Sequence, residues 1–272
     1  MVKTPHLRYF DTITLSQSGM KISVARRLRV FLECEPKTEP HQWVRSGRST
    51  HGGGLSESLF YFILTNKKFF DLESNANRHH AVLELGSGRG LFSIMASAIS
   101  PKARTVIAVE VDPHRARRME EWIDSIHFRD GVDIGGRYRL PTLCEGDFCG
   151  STIRRLDRAI HGRRVMIYCN NAGQVWSGDI QTKLEIKLRD CQVGSIVISL
   201  DKFFSYDTSW REEKYKLFVH PDDVSWSGSS SLAVFKYTKV KHDGGGRRPR
   251  NTPFTMVRYR YAGSIKRTHT NN

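Results

Sequence analysis

A run of alternating glycines constrains the fold more than any other feature of this 272-residue chain. Gly86, Gly88 and Gly90 follow the largely apolar stretch 81–85, which predicts a buried strand. Apolar residues return at helical spacing from Leu91, so a helix is predicted directly after the turn. A glycine turn between a strand and a helix lets a ligand approach bare backbone, and the helix N-terminus offers N–H groups. The stretch predicts a nucleotide-type site, and a tight turn without a ligand is the alternative.

The identity of that ligand follows from the residues around the turn. A dinucleotide fingerprint needs a third glycine where Leu91 stands. The acidic Glu84 beside the turn suits a pyrophosphate poorly, because phosphates prefer N–H groups and positive charge. The run Glu-Leu-Gly-Ser-Gly-Arg-Gly instead resembles the first motif of S-adenosylmethionine-dependent methyltransferases. The resemblance implies a Rossmann-like class I fold, with a mostly parallel seven-stranded sheet and helices on both faces. It also implies that the cofactor contacts Glu84, Gly86, Ser87, Gly88 and Gly90.

Acidic residues follow the next two predicted strands. Glu110 ends the strand 106–110, where a carboxylate can accept hydrogen bonds from both hydroxyls of a ribose. Asp112 is a second candidate, but Pro113 after it favours a helix N-cap. A third strand ends in Gly-Asp-Phe, where Asp147 can accept from an adenine amino group. Phe148 can stack on that base, and packing in the core is a comparable alternative.

Two asparagines follow the fourth predicted strand, 165–169. Asn-Asn-Ala-Gly also occurs in short-chain dehydrogenases, but the glycine turn of that family is absent here. The Tyr-x-x-x-Lys spacing of Tyr237 and Lys241 falls in a strand-like run, so we treat that match as chance. In a nitrogen methyltransferase an amide at this place can orient the attacking amine and bind the cofactor. We therefore predict this catalytic role for Asn171.

The motifs in order resemble one particular family. Leu-Gly-Ser-Gly-x-Gly, Val-Glu, Gly-Asp-Phe, Asn-Asn and Val-Ser-Trp-x-Gly occur in this sequence as in the disruptor-of-telomeric-silencing (Dot-one) histone lysine methyltransferases, over roughly residues 50–240. The resemblance implies that Asn171 lines the catalytic centre and that Trp226 walls a lysine channel. The sequence departs from the family at 51–53, where Tyr-Gly-Glu is usual, and at 172–173, after the asparagines.

Net charge indicates the class of partner. The chain carries 43 Lys and Arg residues against 28 Asp and Glu, a formal net charge of +15. Such an excess favours a polyanion, most often nucleic acid or chromatin. No apolar run is long enough to span a membrane. Five cysteines show no Cys-x-x-Cys pairing with histidines, so neither a metal site nor a disulfide framework is predicted.

The chain divides into three predicted parts. They are a basic N-terminal extension at 1–50, a methyltransferase domain at 51–240 and a basic C-terminal segment at 241–272. Val24, Leu28 and Leu32 alternate with arginines, which predicts a basic amphipathic helix in the first part. The third part is expected to grip DNA phosphates without reading sequence.

Together the resemblance and the charge predict methylation of a lysine of nucleosomal histone-3 in the nucleus. The basic terminal segments would dock on nucleosomal DNA. An apolar channel would lower the pKa of the substrate lysine, so no dedicated general base is expected. Two alternatives stay open: a methyltransferase acting on RNA or DNA, and a chromatin-binding module without activity.

Overall fold

The protein is described here from a computed structural model. It describes residues 22–36, 55–75, 78–100, 105–129, 139–149, 153–171, 178–202, 209–219, 224, 230–241 and 253–258. The loop at 51–54, the residues at 172–173, Trp226 and most of the basic C-terminal segment lie outside these ranges.

A single mixed sheet forms the centre of the described chain. Its strands are β1 (Ala81–Leu85), β2 (Val106–Glu110), β3 (Thr142–Glu145), β4 (Val165–Cys169), β5 (Ile196–Ser199), β6 (Trp210–Phe218), β7 (Ser231–Lys239) and β8 (Thr255–Arg258). They lie in the order β3-β2-β1-β4-β5-β7-β6-β8. The first five are parallel, and β7 is antiparallel to both β5 and β6.

Helices cover both faces of this sheet. They are α1 (Ile22–Glu33), α2 (Glu57–Thr65), α3 (Leu72–Asn75), α4 (Leu91–Ile99), α5 (Pro113–His127), α6 (Arg154–Ile160) and α7 (Gly178–Leu188). Residues of α1, α2, α4 and α5 share one hydrophobic cluster, and residues of α6 and α7 belong to the other. The predicted fold class, a Rossmann-like α/β fold with a mostly parallel sheet and helices on both faces, is confirmed.

The buried parallel strands follow from their sequences. All five residues of β1, β2 and β4 are buried, as expected for strands covered on both faces. The strand β6 was missed, because its sequence Trp-Arg-Glu-Glu-Lys-Tyr-Lys-Leu-Phe alternates apolar and charged residues only at its end. The strand β8 adds an eighth strand to the seven predicted, by pairing with β6 in parallel.

The predicted amphipathic helix near the N-terminus is confirmed as α1. Val24, Leu28 and Leu32 are all buried in the core cluster that also contains α2 and α4. The indole Nε1 of Trp122 donates to the carbonyl of Phe31 at 2.8 Å. The division at residue 50 stays a prediction, but helix α1 packs as part of the core.

Among the described residues, no helix combines the length and the apolar character that a membrane span requires.

Candidate functional site

Strand register places the predicted motifs at one edge of the sheet. Leu85, the last residue of β1, pairs with Val109 on one side and with Cys169 on the other. Cys169 in turn pairs with Ser199 of β5. Because these parallel strands end together, the glycine turn after β1 and the asparagines after β4 meet at the carboxyl edge, as predicted.

The glycine turn depends on left-handed backbone at every second residue. Gly86, Gly88 and Gly90 have φ values of 70°, 57° and 81°, in the region where a Cβ is unfavourable. The N–H groups of Gly86 and Ser87 both donate to the carbonyl of Val109 at 2.9 Å. The turn is thereby folded back over the end of β2.

Two of these glycines differ in what surrounds them. A Cβ at Gly88 would meet no atom within 4 Å, so the space over this residue is open. A Cβ at Gly90 would lie 2.3 Å from Met119 Sδ, so this glycine lets α4 and α5 pack closely. Gly88 is therefore the glycine that leaves room for a ligand, and Gly90 serves packing.

Glu110 lies against the open turn. Its Oε2 accepts from the Gly88 N–H at 2.6 Å and its Oε1 from the Asp112 N–H at 3.0 Å. Burial raises the pKa of the Glu110 carboxyl, while these two hydrogen bonds act in the opposite direction. A buried carboxylate directed at the turn suits the predicted ribose role, since ribose hydroxyls would give it further donors. The role itself stays a prediction.

Glu84 lies deeper than the predicted role requires. Its side chain is only 3% exposed, and Oε2 accepts from both the N–H and the hydroxyl of Ser93, at 3.0 and 2.7 Å. Gly90, the N-cap of α4, has no side chain with which to cap the helix, so Glu84 supplies the acceptor that the first turn of α4 needs. Burial raises the pKa of Glu84 to about 8 against the effect of the Ser93 hydrogen bonds.

The other acidic positions behave differently. Asp112 is confirmed as the N-cap of α5, because Oδ1 accepts from the N–H of His114 and of Arg115. Asp147 is exposed, and its Oδ1 accepts from the Cys149 N–H at 2.8 Å. Phe148 is 8% exposed and belongs to the core cluster that contains α6 and α7. The adenine roles of Asp147 and Phe148 stay predictions, with Phe148 placed on the core side.

The predicted catalytic asparagine ties two strands together. Asn171 is 1% exposed, and its Oδ1 accepts from the N–H groups of Leu200 and Asp201 at 2.9 and 3.0 Å. The oxygen that the sequence assigned to a substrate amine is thus bonded to backbone after β5. In this arrangement Asn171 holds the segment after β4 against the segment after β5. A direct catalytic contact of Asn171 stays a prediction.

Two residues that the sequence did not indicate also belong to this region. Val111 follows Glu110 and is 65% exposed, an apolar surface beside the carboxylate on which a base could pack. Tyr168 pairs with Glu84 across β1 and β4 and stacks on Phe92 at 4.6 Å between ring centroids. The sequence signal for Val111 was an apolar residue directly after the acid that ends β2.

The residues at this edge fit S-adenosylmethionine, the cofactor that the sequence predicts. Gly88 leaves open space over bare backbone, and Glu110 offers a buried carboxylate next to it. Exposed Asp147 adds negative charge at the same edge, which suits the amino group and sulfonium of that cofactor. No group of His, Cys, Asp and Glu in the described ranges is arranged to hold a metal ion.

No protein-family model matches the chain, and no curated protein matches it. Among solved structures, it is similar to precorrin-6y C5,15-methyltransferase from Geobacter metallireducens GS-15, with 13% identity and a TM-score of 0.41, over 65% of this chain and 90% of that one.

Two further solved structures are similar to the chain. One is a putative RNA methyltransferase from Pyrococcus horikoshii, with 15% identity and a TM-score of 0.42, over 80% of this chain and 98% of that one. The other is TrmN from Thermus thermophilus, with 15% identity and a TM-score of 0.47, over 68% of this chain and 49% of that one. At this level of identity the likeness concerns the fold alone.

The resemblance to the Dot-one histone lysine methyltransferases is wrong. No family model of any kind matches, and the similar structures are a precorrin methyltransferase, a putative RNA methyltransferase and TrmN. The glycine turn and the acids after β2 and β3 are predicted to bind a cofactor that many different enzymes share, so these motifs do not identify a substrate. Trp226, which pointed to a lysine channel, lies outside the described residues.

The predictions that depended on that resemblance change accordingly. Methylation of a histone-3 lysine is unsupported by the similar structures. The nucleosome as partner and the nucleus as location are tested by none of these observations. The coarser reading, an S-adenosylmethionine-dependent methyltransferase fold, agrees with the sheet order.

Proposed function

We propose that this protein transfers a methyl group from S-adenosylmethionine to RNA. The carboxyl edge supports binding of the cofactor, because the open turn at Gly88 lies beside the buried carboxyl group of Glu110. Bound there, S-adenosylmethionine supplies an electrophilic methyl group on its sulfonium. Glu110 would then hold the ribose, and Asn171 would keep the ends of β4 and β5 in register below the acceptor.

The net positive charge of the chain is the observation that supports a nucleic acid as substrate. The excess of 43 basic over 28 acidic residues gives a net charge of +15. Neutralising backbone phosphates with lysine and arginine is the main source of nucleic-acid affinity. Between residues 236 and 267 the sequence holds ten Lys and Arg residues and one acid, Asp243. A small uncharged substrate would give no reason for this excess.

RNA is favoured over duplex DNA by the cost of reaching the target. A base in a duplex must be extruded from the stack before an enzyme can act on it, at a cost of a few kcal/mol. Bases in RNA loops are already unstacked and accessible. The proposal does not assign an exocyclic base amine, since no proline follows Asn171 as in many enzymes that act on such amines.

Labelled methyl transfer tests this proposal. The full chain is incubated with methyl-tritiated cofactor and, in parallel, total RNA, duplex DNA and a protein extract. We expect label in RNA that ribonuclease releases, and chromatography of the nucleosides then identifies the acceptor atom. Glu110→Ala is the negative control, because it removes the predicted ribose ligand. Label that stays in DNA or protein would assign the enzyme to another substrate class.

A further inference from the structure

A basic cleft lies at the amino edge of the sheet, opposite the edge that carries the glycine turn. Its volume is about 240 Å³, and it is lined by Arg78, His79, His80, Gly162, Arg163, Arg164 and Gln192. No acidic residue belongs to this lining. The lining comes from the segments that precede β1, β4 and β5, so it is assembled from three distant parts of the sequence.

Backbone hydrogen bonds hold the three segments together. The His80 N–H donates to the Arg164 carbonyl at 2.7 Å, which joins the segment before β1 to that before β4. The Gln192 N–H donates to the Arg163 carbonyl and the Gly162 N–H to the Asp190 carbonyl, both at 2.9 Å. The cleft is therefore part of the rigid sheet edge, and its side chains start from fixed positions.

Two of the guanidinium groups are also positioned. Arg164 Nε donates to the Val193 carbonyl at 3.1 Å. Its side chain lies across Gly194, where a Cβ would approach Arg164 Nε to 2.9 Å. Arg163 Nη1 contacts the ring of His80. Fixing a guanidinium in advance reduces the entropy lost when it binds a ligand.

Among the described residues, no acid forms an ion pair with the arginines of the cleft. In the described part of the chain, no carboxylate lies within 4 Å of the guanidinium nitrogens of Arg78, Arg163 or Arg164, whereas several other arginines form such pairs. The nearby Asp190 contacts His161 Nδ1 at 3.3 Å instead. Like charges brought together in a concave surface repel one another, and a bound anion relieves that repulsion.

We propose that this cleft binds a phosphate group. Guanidinium forks match the oxygens of phosphate in two parallel hydrogen bonds, which makes arginine the preferred residue for such groups. Gly162 has φ 61° and no atom within 4 Å of the place where a Cβ would stand, so a ligand can approach its backbone. The phosphate belongs either to an RNA backbone or to a free phosphorylated molecule.

The distance between the cleft and the glycine turn is compatible with one RNA molecule that contacts both. Each strand residue rises about 3.3 Å, so the cleft and the glycine turn are separated by roughly 20 Å along β1. An RNA stem or a folded loop is large enough to contact both edges at once. Phosphate binding in the cleft would then orient the RNA without reading its sequence.

Two matched double variants test the proposal. Arg78→Gln with Arg163→Gln removes two charges from the cleft, and Arg26→Gln with Arg117→Gln removes two charges from exposed helix positions. Inorganic phosphate is titrated calorimetrically at low ionic strength, and a labelled 20-nucleotide RNA is titrated by fluorescence anisotropy over a range of salt. Cofactor affinity, measured at the opposite edge, and the circular dichroism spectrum verify that each variant is folded.

We expect phosphate affinity to fall at least tenfold in the cleft variant and to stay within twofold of wild type in the control. If RNA is the source, RNA affinity also falls about tenfold, and the salt slope decreases by about 0.7 for each lost phosphate contact. If the ligand is a free phosphorylated molecule, phosphate binding is lost and the RNA slope does not change. Arg163→Lys keeps the charge without the fork, and we expect it to be intermediate.

Equal phosphate affinity in the cleft variant and the control variant would overturn the proposal, as would a wild-type protein that binds no phosphate. The test is separate from methyl transfer. Phosphate binding without RNA methylation would contradict the proposed function and support the phosphate site. RNA methylation without phosphate binding would support the proposed function and contradict the phosphate site.

Discussion

The two edges of the sheet carry different ionisable groups. At the carboxyl edge, Glu84 and Glu110 are buried carboxyl groups, and each accepts a hydrogen bond from a backbone N–H group. At the amino edge, Arg78, Arg163 and Arg164 line a cleft without an acidic residue.

Helix direction explains this separation. Each helix after a parallel strand begins at the carboxyl edge, where its first N–H groups favour anions, and returns to the amino edge, where its last carbonyls favour cations. Helix α4 shows both ends, since its first turn donates to Glu84 and its Ala98 carbonyl accepts from Arg27 Nε at 2.7 Å. The comparison therefore predicts that charge changes at the two edges have opposite effects.

The largest effect is expected at Glu84. Its pKa is about 8 in the folded protein because of burial and about 4.3 when unfolded. Between these values the folded state binds a proton that the unfolded state has lost, so stability is full below about pH 4 and is lost as the pH rises towards 8. Glu84→Gln should remove this loss, which amounts to on the order of 5 kcal/mol at about 1.4 kcal/mol per pKa unit.

Urea unfolding of wild type and Glu84→Gln from pH 5 to 9 measures this difference. Glu120→Gln, at an exposed position of α5, is the matched control and should follow the wild-type curve. Parallel curves for wild type and Glu84→Gln would show that the carboxyl is not protonated in the folded state.

The next effect separates two glycines of the same turn. Gly90→Ala introduces strain at φ 81° and a contact with Met119, which together should cost about 3 kcal/mol. Gly88→Ala carries the backbone strain alone and should cost about 1 kcal/mol, but its methyl group occupies the space proposed for the cofactor. Thermal unfolding measures the stability and calorimetry the affinity for S-adenosylmethionine.

A double-mutant cycle with Met119→Ala sharpens that result. If the contact with Met119 causes the extra cost of Gly90→Ala, the second substitution should recover about 1–2 kcal/mol of it. Equal destabilisation by Gly88→Ala and Gly90→Ala would contradict the difference in packing.

At Glu110 the expected effect is on ligand affinity. Glu110→Ala removes a charged hydrogen-bond acceptor and should weaken cofactor binding roughly 10- to 100-fold, since bonds to charged groups contribute about 1.5–3 kcal/mol. Glu110→Gln keeps one acceptor and should lose less. Titration calorimetry with S-adenosylmethionine decides the matter, and an unchanged dissociation constant for Glu110→Ala would exclude the ribose role.

The smallest effect tests the amino edge. Arg27→Met removes the hydrogen bond to the last turn of α4 while keeping an apolar stem, and we expect a loss of about 1 kcal/mol in the free energy of unfolding. Arg26→Met, next to it on the exposed face of α1, should change stability by less than about 0.5 kcal/mol. If both variants lose the same stability, the interaction with the helix end contributes nothing specific.

Much of the fold could be predicted because local sequence patterns indicate its strands and helices. The strands β1, β2 and β4 are continuous apolar runs, and the structure places their ends where the sequence predicts them. The strand β6 could not be recognised, because charged residues lie within it, and one of them, Glu213, forms an ion pair with Lys236 of the neighbouring strand β7. An ion pair between two strands depends on their register, which the local sequence pattern does not show.

The candidate site divides in the same way. Sequence alone indicated a glycine turn after β1, an acid after β2 and a helix cap at Asp112, since each depends on neighbours a few residues away. Only the tertiary structure shows that Glu84 is bonded to Ser93 and that Asn171 is bonded to the backbone after β5. A side chain's partner in a different strand or helix is selected by packing, which the local pattern does not encode.

The sequence by itself determined the class of fold, and it predicted the cofactor and the edge of the sheet at which that cofactor would bind. Periodicity and turn residues act over short separations along the chain, so they can be recognised without knowledge of the rest of the molecule. What only the tertiary structure decided is the basic cleft, whose residues at 78–80, 162–164 and 192 become neighbours through the pairing of β1, β4 and β5. Contacts between such distant segments form only when the whole sheet is assembled.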